Sequence, residues 1–86
     1  MNNKVTSEHV NEIFNKANLT ENILYDKCLV ISVKLQNGFV IVESSACVDP
    51  KNFDINMGRE ICCNRIKDKI WELEGYKLQC ELGECK

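Results

Sequence analysis

Six cysteines and a single histidine are the side chains of this sequence best suited to chemistry. Their spacing argues against the usual uses. No C-x-x-C occurs, and His9 lies far along the chain from Cys28, Cys47, Cys62, Cys63, Cys80 and Cys85, so a zinc cluster has no recognisable ligand set. A Cys–His nucleophile would need His9 beside a thiol and a third group to orient it, and the pattern supplies none. Glu43, Asp49, Asp54, Glu60, Glu72 and Glu74 form no acid/base motif and read as solvated surface acids. The four glycines, at 38, 58, 75 and 83, are scattered and build no phosphate-cradling loop. No catalytic group and no cofactor is expected.

One stretch could hold a ligand. Lys51-Asn52-Phe53-Asp54 precedes a long helical pattern, with Arg59 just inside it. Backbone N–H groups at a helix N-terminus attract anions. Lys51 and Arg59 would add charge, Phe53 a stacking surface and Asn52 a donor and an acceptor. Asp54 opposes this, because its carboxylate stands where an anion would sit. A capping loop with Phe53 tucked into the core accounts for the same residues without a ligand. Arg59, at the rim of the apolar face, calls for a carboxylate partner or a ligand.

Composition narrows the class. At 86 residues the chain suits one domain, with a core over about 5–78 and a loose tail over 79–86. The net charge is −2 and no basic block stands out, which argues against dedicated nucleic-acid binding. The longest apolar run, Cys28 to Val33, is too short to span a bilayer. The first residues lack a signal-peptide core, so a cytoplasmic location and free thiols are expected.

The positioning elements follow from periodicity. Asn37-Gly38 between Cys28–Gln36 and Phe39–Cys47 signals a hairpin with a two-residue type I′ turn. That turn pairs Leu35 with Val40, Val33 with Val42, Ile31 with Ser44 and Leu29 with Ala46 on a core face, and sets Cys28 opposite Cys47. Ser7 can cap a first helix carrying Val10, Ile13, Phe14 and Ala17, with Asn18 at its end. Thr20 to Lys27 fits either a short turn or a lead-in to the first strand. After Pro50, a helix from about Asp54 to Leu73 centres its apolar face on Ile55, Cys62, Ile66 and Leu73, flanked by Gly58, Ile61 and Ile70. Gly58 would allow close approach to the sheet. Lys69 falls inside this face and would have to snorkel. Gly75 reads as the C-cap, and Tyr76-Lys77-Leu78 as a short third strand or an extended segment. Trp71 falls opposite the core stripe, either folded under the C-terminal segment or free to anchor a partner.

These residues resemble a family of small phage-encoded proteins labelled after gene product forty-nine of one phage and gene sixty-six of another. The shared features are Asn37-Gly38-Phe39, Ser45-Ala46-Cys47-Val48, Pro50 with Asn52-Phe53, Gly58-Arg59, Lys69-Ile70-Trp71 and Leu73-Glu74-Gly75-Tyr76. They span roughly Cys28 to Leu78. The chain departs from the pattern at Ser44, where a Gly-Glu pair is commoner in this region. It departs again at Cys62 and Ile66, which stand where alanines are usual. The resemblance implies a phage or prophage origin and a small α+β fold, and it implies no activity. The expectation is therefore an α+β domain acting as a binding module that modulates a host protein or defence system. Lys51, Asn52, Phe53, Arg59, Trp71 and Tyr76 are its candidate contacts. The alternative is a protein that sequesters a small anionic, nucleotide-derived signal. The open hairpin edge also suits a homo-oligomer.

Overall fold

The computed structural model describes residues 4–83. Its elements are α1 (Ser7–Lys16), β1 (Asn18–Leu24), β2 (Cys28–Lys34), β3 (Val40–Ala46), a 3-10 turn (Pro50–Asn52) and α2 (Ile55–Glu81). The strands form one antiparallel sheet in the order β1-β2-β3. The α+β class and the covering long helix agree with the sequence pattern.

Helix α1 starts one residue earlier in its capping than the sequence suggests. Thr6, not Ser7, is the N-cap, and its Oγ1 accepts a hydrogen bond from the His9 N–H at 3.2 Å. Ala17 is already extended, so Asn18 opens a strand rather than closing a helix. Thr20 to Lys27 resolves into most of β1 and a tight turn. Tyr25 and Asp26 both lie in the left-handed region (φ 55° and 57°), and the Lys27 N–H closes the turn on the Leu24 carbonyl at 3.2 Å. This is the positive-φ pair that a type I′ turn requires.

The Asn37-Gly38 hairpin forms, but its register differs from the expected one by a residue. Among the loop residues only Gly38 has positive φ (93°). Asn37 stays out of that region, and its Oδ1 accepts from the Phe39 N–H at 2.9 Å. The Gly38 N–H donates to Leu35 O at 2.9 Å, and the Leu35 N–H donates to Phe39 O at 2.8 Å. The connection is thus a three-residue loop with glycine in the left-handed position, the other hairpin that Asn-Gly serves well. Val33 now faces Ile41, Ile31 faces Glu43 and Leu29 faces Ser45. Because side chains alternate, the one-residue shift turns β3 over. Ile41 is buried, whereas Val40 and Val42 are 55% and 56% exposed. Leu35 remains partly buried against the core. Cys28 lies opposite Ala46 instead of Cys47, whose N–H bonds to Lys27 O.

Helix α2 is longer than expected. It runs through Gly75 to Glu81, so Tyr76-Lys77-Leu78 is helical and the third strand is β1. Gly75 has no positive φ, and the left-handed glycine that ends the helix is Gly83 (φ 81°), whose N–H bonds to Cys80 O at 3.0 Å. At 1.5 Å per residue the 27 residues of α2 reach about 40 Å. A seven-residue strand covers only about 23 Å. The helix therefore overhangs the sheet, and its last turns meet α1, where His9 Nε2 lies 2.8 Å from Glu74 Oε1.

The core joins Val10 of α1, Leu29, Ile31 and Val33 of β2, Ile41 of β3, and Cys62, Ile66 and Ile70 of α2. Gly58 is buried in the same stripe, and a Cβ there would come within 3.2 Å of Leu29 Cδ2, so close helix–sheet approach does depend on it. Lys69 is exposed and lines a shallow groove beside Phe39 to Glu43. Of the expected tail, 79–83 is described as helix end and cap, while Cys85 lies outside the described residues.

Candidate binding surface

The connector before α2 is held by its own side chains. Asp49 Oδ1 accepts from the Lys51 N–H at 3.0 Å. Asp54, the N-cap of α2, accepts from the Asn56 N–H at 2.9 Å and the Met57 N–H at 3.3 Å. Phe53 is partly buried against the core. Asn52 and Phe53 line a groove of about 160 Å³ with Ser45, Cys47, Met57 and Ile61. Neither Lys51 nor Arg59 is among its lining residues. Lys51 is exposed on the 3-10 turn.

Arg59 turns to the other flank of α2. Its Nε donates to Glu21 Oε2 at 2.7 Å and its Nη2 to Glu21 Oε1 at 3.1 Å, a two-point grip on a β1 carboxylate. Hydrogen bonding to Glu21, and then its charge, push the guanidinium still further above its ordinary range. The carboxylate partner that Arg59 called for is therefore Glu21. Nothing local in the sequence pointed to it, since the two lie 38 residues apart.

Trp71 is 45% exposed on the solvent side of α2, and Tyr76 is 68% exposed on the overhang. The six candidate residues thus fall in four places: Lys51, Asn52 and Phe53 at the connector, Arg59 facing β1, Trp71 on the solvent side of α2, and Tyr76 on its overhang, about 140° round the helix from Trp71.

The thiols are dispersed too. Cys28, Cys47, Cys62 and Cys63 are unbridged. Cys62 is fully buried, and that burial pushes its thiol pKa up. The Cys47 thiol donates to Asp49 O at 3.1 Å. Among the described residues, no three histidine, cysteine or acidic side chains are grouped to hold a metal ion. No described helix is long and apolar enough to cross a membrane.

With the fold in view, comparison with known families is informative. The model of the phage protein (N4 Gp49/phage Sf6 gene 66) family matches residues 1–82. The chain belongs to this phage protein family. No curated protein and no solved structure matches it.

In this phage protein the surface that sequence reasoning missed is the sheet itself. Its outer face carries Leu24 of β1, Val30 of β2, and Val40 and Val42 of β3, and no described element covers it. Leu24, Val40 and Val42 are all more than 40% exposed. On the helix side, Leu19 and Ile23 of β1 are 44% and 49% exposed, because α2 packs over β2 and β3 and not over β1. The missing signal was the hairpin register, which decides which β3 valines meet water.

Proposed function

We propose that this phage protein is a non-enzymatic binding module that engages a host protein through the bare outer face of its sheet. The observation that carries the reading is the exposure of Val40 and Val42, on the same sheet face as Val30 and Leu24, with no described element covering that face. Clustered exposed apolar side chains on a small protein mark interaction sites. Trp71 offers a second, aromatic anchor on the solvent side of α2. Modulation of a host defence system would be one outcome of such binding.

Sequestration of an anionic nucleotide is less well supported. The guanidinium of Arg59 is engaged by Glu21, and Asp54 occupies the N-terminus of α2. Thermal melts with a panel of linear and cyclic nucleotides test it, since a ligand that binds only the folded chain raises the melting point.

The binding reading is tested by capture from host lysate, followed by calorimetry with the purified partner. A Val40→Lys/Val42→Lys variant should bind at least about tenfold more weakly, because each buried valine contributes on the order of 1.5 kcal/mol or more. Binding undiminished in that variant, and undiminished in Trp71→Ala, would remove both surfaces from consideration.

A further inference from the structure

We infer that two copies of this chain join edge to edge through β1, making one six-stranded sheet with the two-fold axis at Glu21. The inference uses a different surface from the host-binding reading and does not rest on it.

The edge is open in a way that the backbone pattern defines. Across β2 and β3, Leu35 bonds to Phe39 and Lys27 to Cys47. Main-chain groups alternate in direction along an antiparallel strand, so odd-numbered β2 residues address β3 and even-numbered ones address β1. The register pairs Cys28, Val30, Ser32 and Lys34 with Leu24, Asn22, Thr20 and Asn18. The even-numbered β1 groups are therefore used, and the N–H and C=O groups of Leu19, Glu21 and Ile23 point away from the sheet. The opposite edge is treated differently. Arg65 Nη1 donates to the Ser44 carbonyl on β3 at 2.9 Å, and α2 packs along that strand. Natural edges are blunted by charged side chains, lysine above all, by inward-pointing charges, proline, bulges or a covering element. Strand β1 carries one charge, Glu21, which Arg59 of its own chain neutralises; it contains no lysine, proline or glycine and pairs without a bulge over seven residues.

The strand is also self-complementary. An antiparallel partner centred on Glu21 sets Leu19 beside Ile23 of the second copy and Ile23 beside Leu19, all on the helix side. These are the two apolar side chains that α2 leaves uncovered. The two Glu21 carboxylates meet at the axis, each already gripped by its own Arg59, so like-charge repulsion is countered from within each copy. On the outer side Thr20 meets Asn22, a polar pair.

The exposed surface leaves room for a partner. The chain exposes 6262 Å², whereas a folded monomer of 9.9 kDa exposes roughly 5,200 Å². The uncovered strand β1 and the overhang of α2 both add to that excess, and the overhang also lengthens the chain, with a radius of gyration of 15.4 Å against about 12 Å for a compact chain of this length.

Light scattering coupled to size-exclusion chromatography tests the inference. The expected mass is twice 9.9 kDa. A Leu19→Lys/Ile23→Lys variant, changed at exposed positions, should elute at the monomer mass with an unaltered far-UV spectrum. The register is read separately with Thr20→Cys/Asn22→Cys. These positions form a non-hydrogen-bonded pair across the axis, with Cα atoms about 4.5 Å apart, within disulfide reach. Mild oxidation should give a covalent dimer whose linked peptides join 20 to 22. A wild-type monomer at the highest soluble concentration, a dimer that persists in the lysine variant, or failure of 20 to link to 22 overturns the proposal.

Discussion

Gly58 and Gly75 stand on one helix and are there for different reasons, which single substitutions expose. A side chain at Gly58 meets buried Leu29 at 3.2 Å, whereas nothing lies within 4 Å of a Cβ at Gly75. Gly75→Ala should therefore stabilise the fold by about 1 kcal/mol, the helix-propensity difference. Were Gly75 the left-handed cap that its neighbours suggest, the same change would destabilise. Gly58→Val should cost roughly 2 kcal/mol or more through overpacking and lost propensity. Denaturant melts measure both. Cys62 makes a second residue-level prediction. Its burial raises the thiol pKa, so the folded chain holds a proton that the unfolded chain releases near its ordinary pKa of about 8.5. Stability from this group is complete below that pH and is lost as the pH rises past it toward the folded value. In the native state Cys62 should be the last of the described thiols to react with an alkylating reagent, read by peptide mass spectrometry. Early labelling of Cys62 would contradict its place in the core.

At the scale of elements, the two hairpins exchange the roles their sequences advertise. Asn37-Gly38 makes a three-residue loop with a single left-handed residue, and the type I′ dihedral pair falls on Tyr25-Asp26. A bulky residue held at φ 55° is strained by about 1 kcal/mol or more. Replacing Tyr25-Asp26 by Asn-Gly should raise the melting point by roughly 4–8 °C, the shift that about 1 kcal/mol gives a domain of this size. An unchanged or lower melting point would mean that Tyr25 makes compensating contacts. The β1–β2 hairpin was hard to see for this reason. Its turn carries no turn residue at the first position, and its helix-side row reads Leu19, Glu21, Ile23, with a charge in the middle. The charge is tolerated because Arg59 reaches it from another element.

For the whole molecule, the decisive fact is that one helix of 27 residues covers two strands of a three-stranded sheet and then runs past its end. The fold leaves β1 half-dressed on the helix side and the outer face bare. If dimerisation is linked to folding, the melting point should rise with protein concentration, because association favours the folded form by mass action. A melting point constant over a hundredfold range would separate stability from association. The overhanging turns beyond Leu73 meet α1, through contacts such as His9 with Glu74. Their amide hydrogens should exchange well before those around Ile66.

The sequence by itself determined the elements that local chemistry can specify. These are the hairpin at Asn37-Gly38, the break at Pro50, the amphipathic stripe through Cys62 and Ile66, and the family to which the chain belongs. Only the tertiary structure decided the hairpin register, the third strand, the end of α2 and the partner of Arg59. Each turns on a contact between distant segments: a loop one residue longer turns a strand over, and a glycine caps or continues a helix according to what lies beside it. A local window of residues holds the propensities but not the neighbours that choose between them, and the exposed valines of β3 follow from that choice.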